Sequence, residues 1–200
     1  GDVKVAGTPL PLNNPSASIA AGLAFVSEDR RGVGLLLNSS IEVNIASGAM
    51  FGKKEFIKTW GPFSQVDQAA VRENAQKLIG ELDIRCTGPR QLVRQLSGGN
   101  QQKVCIARAL TMNPKILLVS EPTRGIDVGA KQLVLDTLRR LNEELGMTIV
   151  VTSSELAELR SICSRIAIIT DGRVAGILKP DDSDVNFGLL MAGQPISKGA

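Results

Sequence analysis

The chain has 200 residues, 43% of them hydrophobic, which is enough for one domain with a true core. A net charge of +3 gives no reason to expect a nucleic-acid partner, and with no histidine the chain can use neither His acid–base catalysis nor His metal ligands. No apolar run approaches the roughly 18 residues that a bilayer span needs. No signal-peptide pattern opens the chain, and a start at Gly1-Asp2 without Met is expected of a piece of a longer protein. Cys86, Cys105 and Cys163 lie far apart, in apolar helices or helix ends, without metal-ligand spacing, so unpaired, buried thiols are expected.

In chain order, residues 1–19 are polar, with Gly, Pro and Asn punctuating short β-like pieces such as Val3-Lys4-Val5. Leu23-Ala24-Phe25-Val26 reads as a short strand, and the charged Ser27-Glu28-Asp29-Arg30 leaves its end. Residues 38–49 predict a helix capped near Ser39 or Ser40, and residues 51–63 an irregular stretch around Trp60-Gly61-Pro62. Asp67 then caps a long helix whose Val71, Ala75, Leu78 and Leu82 share one face. Residues 38–95 together read as an all-helical insertion between strands.

Ser97 is a good N-cap, followed by Gly98, Gly99 and helix formers as far as Leu110. Glycines there let a ligand come up to the first backbone N–H groups, which lack intrahelical partners and carry the positive end of the helix dipole. An anion, most often a phosphate, is the natural ligand of such an end. Pro114 stops the helix, and residues 116–119 (Ile-Leu-Leu-Val) suit a parallel strand buried on both faces. Ser120 and Glu121 sit at the carboxyl end of that strand, where open α/β sheets place their ligands. Asp127 can cap the next helix, which runs to Leu145 with a core stripe of Val134, Leu138, Leu141 and Leu145 and ends at Gly146. Residues 148–151 form another buried strand, followed by Thr152-Ser153-Ser154-Glu155 and a helix lined by Leu156, Leu159 and Cys163. Asp171-Gly172 between two β-rich runs is a hairpin signal. Residues 180–200, with three aspartates close together, read as a loose tail behind a domain of residues 1–179. Strand–helix alternation makes the fold α/β with a mainly parallel sheet.

The phrase LSGGNQQK followed by ILLVSEPTRGIDVGAK closely resembles the signature, Walker B and D-loop motifs of ABC-transporter ATPases. The TRGIDVGAK ending resembles the second nucleotide-binding half of the tandem ATPases that energise simple-sugar importers of the ribose, galactose and xylose type. The resemblance implies a P-loop NTPase fold of the ABC type with a helical subdomain at about residues 38–95, truncated at its N-terminus. It implies ATP and Mg²⁺ as ligands. Two halves would meet head to tail, so that Ser97, Gly98, Gly99 and Asn100 face an ATP held by the partner half. Glu121 matches the carboxylate that polarises the attacking water, and Asp127 the D-loop residue.

Departures from that pattern are plain. Ser120 stands at the Walker B aspartate, Ser154 at the switch histidine of the H-loop, Glu28 at the Q-loop glutamine, and Asn100 at the usual signature glutamine. No G-x-x-x-x-G-K-[ST] occurs in the 200 residues. The reading that follows is an ATPase half that gives its signature to a composite site and owns a degenerate one, inactive by itself. Its partners would be the other nucleotide-binding half, permease subunits and, indirectly, a sugar-binding protein, at the cytoplasmic face of the bacterial inner membrane. The alternative is a structural or regulatory half that binds nucleotide and dimerises without turnover: Glu121 favours the enzyme, while Ser120, Ser154 and Glu28 favour the alternative. A non-transport ABC ATPase of the DNA-repair or translation type is a weaker third reading, since neither a coiled-coil insertion nor a basic stripe is visible.

Overall fold

The structure, a computed structural model, describes residues 1–196. The chain divides into two units, Gly1–Thr152 and Ser153–Ala200. The first opens with a hairpin of β1 (Val3–Val5) and β2 (Thr8–Leu10), followed by α1 (Pro15–Ala20) and β3 (Leu23–Val26). A single π-helical turn, Arg30–Gly34, leads to α2 (Ile41–Lys53), a second hairpin of β4 (Ile57–Trp60) and β5 (Phe63–Val66), and α3 (Gln68–Glu81). A short 3₁₀ turn precedes α4 (Gly98–Leu110), and β6 (Ile116–Ser120), α5 (Val128–Leu145) and β7 (Thr148–Thr152) close the unit. The second unit holds α6 (Leu156–Ile162), the hairpin β8 (Ile166–Thr170) and β9 (Arg173–Leu178), and α7 (Asp184–Met191). No helix among the described residues is long and apolar enough to cross a membrane.

Local chemistry accounts for most helix starts. Ser40, Asp67, Ser97 and Asp127 each accept a backbone N–H from the third residue beyond, a cap that contributes about 1 kcal/mol. Gly146, in the left-handed region at φ +63°, ends α5 as expected. Asp171 and Gly172 both take positive φ, the two-residue turn that matches the twist of the β8–β9 hairpin.

The parallel sheet β3–β6–β7 organises the first unit. Ala24 and Leu117, and Val26 and Val119, pair in register and are buried. The opposite face carries the row Phe25, Leu118 and Val150, of which Phe25 is 62% exposed and Val150 49%. The expectation that residues 116–119 form a strand buried on both faces is therefore wrong, since β6 buries alternate side chains on one face only, and β7, expected to be buried, alternates exposed and half-buried residues. Apolar runs tell that a strand can be buried, not what covers it.

Other expectations also need correction. Residues 57–66 form a hairpin, so the insertion is not all-helical. The alternating Ile57-Lys58-Thr59-Trp60 and Phe63-Ser64-Gln65-Val66 pair across Gly61-Pro62, with Gly61 at positive φ. Helix α2 begins at Ile41 and continues to Lys53. Helix α1 was not foreseen; Asn14 caps it and Pro15 opens it. Leu145 is 65% exposed and leaves the core stripe to Val134, Leu138 and Leu141. Cys86 lies in the loop beyond α3 rather than in a helix, although all three thiols are free. Residues 180–191 are ordered, not loose: Ser183 caps α7, Asp184 pairs with Arg160 at 2.7 Å, and Asp182 accepts the Lys179 N–H. Phe187 and Leu190 of α7 fill a small core with Ile166, Ile168 and Leu178. Residues 197–200 of the expected tail lie outside the described residues.

Candidate functional site

Ser97 keeps extended backbone angles (φ −62°, ψ 160°) while the chain turns into α4. Its Oγ accepts the Asn100 N–H at 3.5 Å and the Asn100 side-chain Nδ2–H at 3.0 Å. Asn100 Oδ1 in turn accepts the Arg85 N–H at 2.9 Å, from the loop beyond α3. Ser97, Gly99, Asn100, Lys103, Arg85 and Asp127 border a recess of about 280 Å³ at this helix start. Lys103 is buried and donates to the Asp83 carbonyl at 2.9 Å, with the Asp83 carboxylate 3.8 Å away. Burial pulls its ammonium pKa down, and the Asp83 charge pushes back. Orphan N–H groups, the helix dipole and an exposed hydroxyl make this recess suited to an anion. A larger hollow of about 640 Å³ lies elsewhere, between α3 and α5, and touches none of these residues except through neighbouring helix turns.

The two glycines serve the fold first. A Cβ on Gly99 would stand 2.8 Å from the Ala130 Cβ of α5, too close for any side chain to remain unmoved. A Cβ on Gly98 would meet the Gly125 carbonyl at 3.3 Å and the Arg30 guanidinium at 3.4 Å. From the sequence, ligand approach is the expected use of these glycines. The close neighbours are other parts of the same chain, because α4 starts where α5 and the preceding turn press against it.

At the tip of β6, Ser120 pairs in register with Thr152, and its Oγ accepts the Thr152 hydroxyl at 3.3 Å. Glu121 is half-buried and adopts φ +44°, with its N–H bonded to the Thr152 carbonyl at 2.8 Å. A left-handed conformation costs a non-glycine residue about 1–2 kcal/mol, and such strain gathers at functional sites. Asp127 caps α5 through the Ala130 N–H at 3.0 Å, so its carboxylate is held at the recess edge. Glu28 and Arg124, both exposed, form an ion pair at 3.0 Å. Ser154 is exposed and belongs to the second unit. Among the described residues no cluster of three or more His, Cys, Asp or Glu is arranged to hold a metal.

The structure thus gathers Ser97, Gly99, Asn100 and Asp127 around one recess and ties Glu28 to the turn that follows Glu121. It also reveals Arg30, which sequence reasoning left inside a charged turn. Arg30 is only 7% exposed; its Nη2 donates to the Gly125 carbonyl at 3.4 Å, and its Nε is buried without a partner. Burial lowers its pKa, with Cys105 adjacent, whose thiol burial pushes up to about 12. Arg108 of α4 donates to the Gly34 carbonyl at 2.8 Å. The π-helical turn is therefore pinned to α4 on one side and to the Arg124-Gly125 turn on the other. No local signal marks such an arginine, since the carbonyl it donates to is 95 residues away.

The parallel sheet with the glycine-led helix beside it gives the chain the α/β fold of ATP-binding cassettes. The dimeric post-hydrolysis structure of the ATP-binding cassette MJ0796 bound to ADP and Pi is similar to this chain with a TM-score of 0.71. It is 26% identical, over 92% of this chain and 75% of that one. The family described as ABC transporter matches residues 1–124, and the chain belongs to that family. The ribose import ATP-binding protein RbsA of Lactococcus lactis subsp. cremoris is 38% identical over 194 residues, covering 96% of this chain and 38% of that protein. RbsA of Bacillus subtilis is 38% identical over 176 residues, 88% of this chain and 34% of that one. The chain spans little more than a third of the length of these curated relatives.

Proposed function

We propose that this chain is one nucleotide-binding half of the ATPase that drives a sugar importer of the ribose class. In that reading it works beside a second nucleotide-binding half and permease subunits at the cytoplasmic face of the membrane, with a sugar-binding protein delivering the solute. The observation that carries the proposal is the oriented polar start of α4, where Ser97, Gly98 and Gly99 offer donors to an acceptor-only ligand. Such a ligand is the γ-phosphate of an ATP bound by the other half. Catalysis of phosphoryl transfer is chiefly positioning and charge stabilisation, so a well-placed hydroxyl and N–H groups contribute without moving a proton. Glu121 is the group able to aim a water in the half's own site.

Mg²⁺ does not fit the tip of β6 as it stands. The ion favours carboxylate and phosphate oxygens in octahedral arrangement. Here Ser120 offers an uncharged oxygen already accepting from Thr152, and among the described residues no group of three or more Cys, Asp or Glu surrounds it. The half's own site is accordingly the weak one, and the signature side is its working contribution. In the natural full-length protein, Ser97→Ala is expected to lower kcat about ten- to a hundredfold, the scale of one charge-assisted hydrogen bond. Glu121→Gln is expected to cost several-fold less. Steady-state phosphate release by the two variants decides it, and an equal or larger loss from Glu121→Gln overturns the assignment.

A further inference from the structure

We infer that Asn100 is a positioning residue that locks the Ser97 hydroxyl as a hydrogen-bond donor toward the recess, and does not itself touch nucleotide. The inference rests on the reading of α4 as an ATP-facing end. Its logic is the direction of three hydrogen bonds. The Arg85 backbone N–H can only donate, so the Asn100 atom 2.9 Å from it is the carbonyl oxygen. The amide is thereby oriented without ambiguity, and its NH₂ faces Ser97 Oγ at 3.0 Å. Ser97 Oγ also accepts the Asn100 N–H at 3.5 Å, so both of its lone pairs are engaged. Its one hydrogen points away from both donors, on the exposed side of the residue, toward the recess.

A phosphate oxygen only accepts. A hydroxyl with its hydrogen outward meets it attractively, whereas one with a lone pair outward repels it. Asn100 therefore sets the sign of the Ser97 contact. The setting depends on the loop beyond α3, where Lys103 grips the Asp83 carbonyl and Ile84 is buried, which holds the Arg85 N–H in place. Asn100 was expected to bind nucleotide directly; with its oxygen on Arg85 and its amide on Ser97, it acts through Ser97.

The test is a double-mutant cycle in the natural full-length protein, reading ATP turnover and ADP affinity. Asn100→Asp keeps the Arg85 bond but cannot donate to Ser97. Its carboxylate accepts the Ser97 O–H and turns it inward. The expected result is a loss in kcat/KM for ATP of roughly ten- to a hundredfold for Asn100→Asp, against about fivefold for Asn100→Ala. In a Ser97→Ala background, Asn100→Asp is expected to cost less than about threefold, while ADP, which lacks the γ-phosphate, binds as before in every variant. An Asn100→Asp loss as large without Ser97 as with it means that the new charge acts by itself, and overturns the inference. A change in ADP affinity equal to the loss for ATP marks a merely structural role and overturns it too. Should Asn100→Asp not fold, Asn100→Ala is read in both backgrounds: coupling of threefold or more supports the inference, and additivity overturns it. If Ser97→Ala alone leaves turnover unchanged, the ATP-facing reading of α4 fails, and the inference with it.

Discussion

The start of α4 and the tip of β6 lie in the same unit but are built by opposite means. At α4 the backbone is relaxed, and a chain of neutral hydrogen bonds runs from Arg85 through Asn100 to Ser97. At β6 the backbone is strained at Glu121, and the residue before it, Ser120, is uncharged and closes onto Thr152. Donors can be oriented by neighbours without any ionised side chain, so the α4 end is complete with a serine, an asparagine and glycines. A cation-assisted site depends on carboxylates, and no rearrangement of neighbours converts a serine into one. The two ends therefore differ in what a substitution can remove: geometry at one, charge at the other.

The largest effect is expected at Gly99. In the full-length protein Gly99→Asp should nearly abolish ATP turnover, because its side chain collides with Ala130 and also fills the recess. Gly99→Ala separates the two causes. Its added methyl should destabilise the protein by about 1–3 kcal/mol through overpacking against α5. Ala130→Gly in the same chain should restore most of that stability in a urea titration. Restored stability without restored turnover would place ligand approach beside packing; no restoration of either would remove Ala130 as the cause and weaken the contrast between the two ends.

A middle-sized effect is expected at Arg30, which touches both regions through Gly98 and Gly125. Arg30→Ala should lower unfolding free energy by about 1–3 kcal/mol, chiefly through lost packing at a nearly buried position. Arg30→Lys should recover little, because an ammonium lacks the planar fork. A change within about 0.5 kcal/mol for Arg30→Ala would show that the π-helical turn is held by Arg108 and Cys105 alone. The smallest effect is expected at Glu28. Its pair with Arg124 is exposed on both sides, so Glu28→Gln should shift stability by less than about 1 kcal/mol and less still at high salt. A larger shift, measured by thermal unfolding at two salt concentrations, would make this pair part of a stiff frame between the two ends.

The sequence by itself determined the elements whose signals are local. Ser40, Asp67, Ser97 and Asp127 start helices by reaching three residues ahead, Gly146 stops one, and Asp171-Gly172 turns a hairpin. Each of these depends on a handful of neighbouring atoms, which the sequence names directly. The motifs from Leu96 to Lys131 were legible through their resemblance to ABC-transporter ATPases, and with them the α/β fold of the ABC type. Tertiary structure alone decided the rest. Whether Phe25, Leu118 and Val150 are covered depends on what lies over the sheet, and apolar composition is silent on that. Ile57–Val66 became a hairpin because two short runs found each other across a turn, and residues 184–191 became a helix because Phe187 had a core to fill. Arg30 gained its place from the Gly125 carbonyl, 95 residues away, and Asn100 gained a partner in the Arg85 N–H of the loop beyond α3. Short-range preferences are written residue by residue; which distant group comes to share a hydrogen bond exists only after the chain has folded.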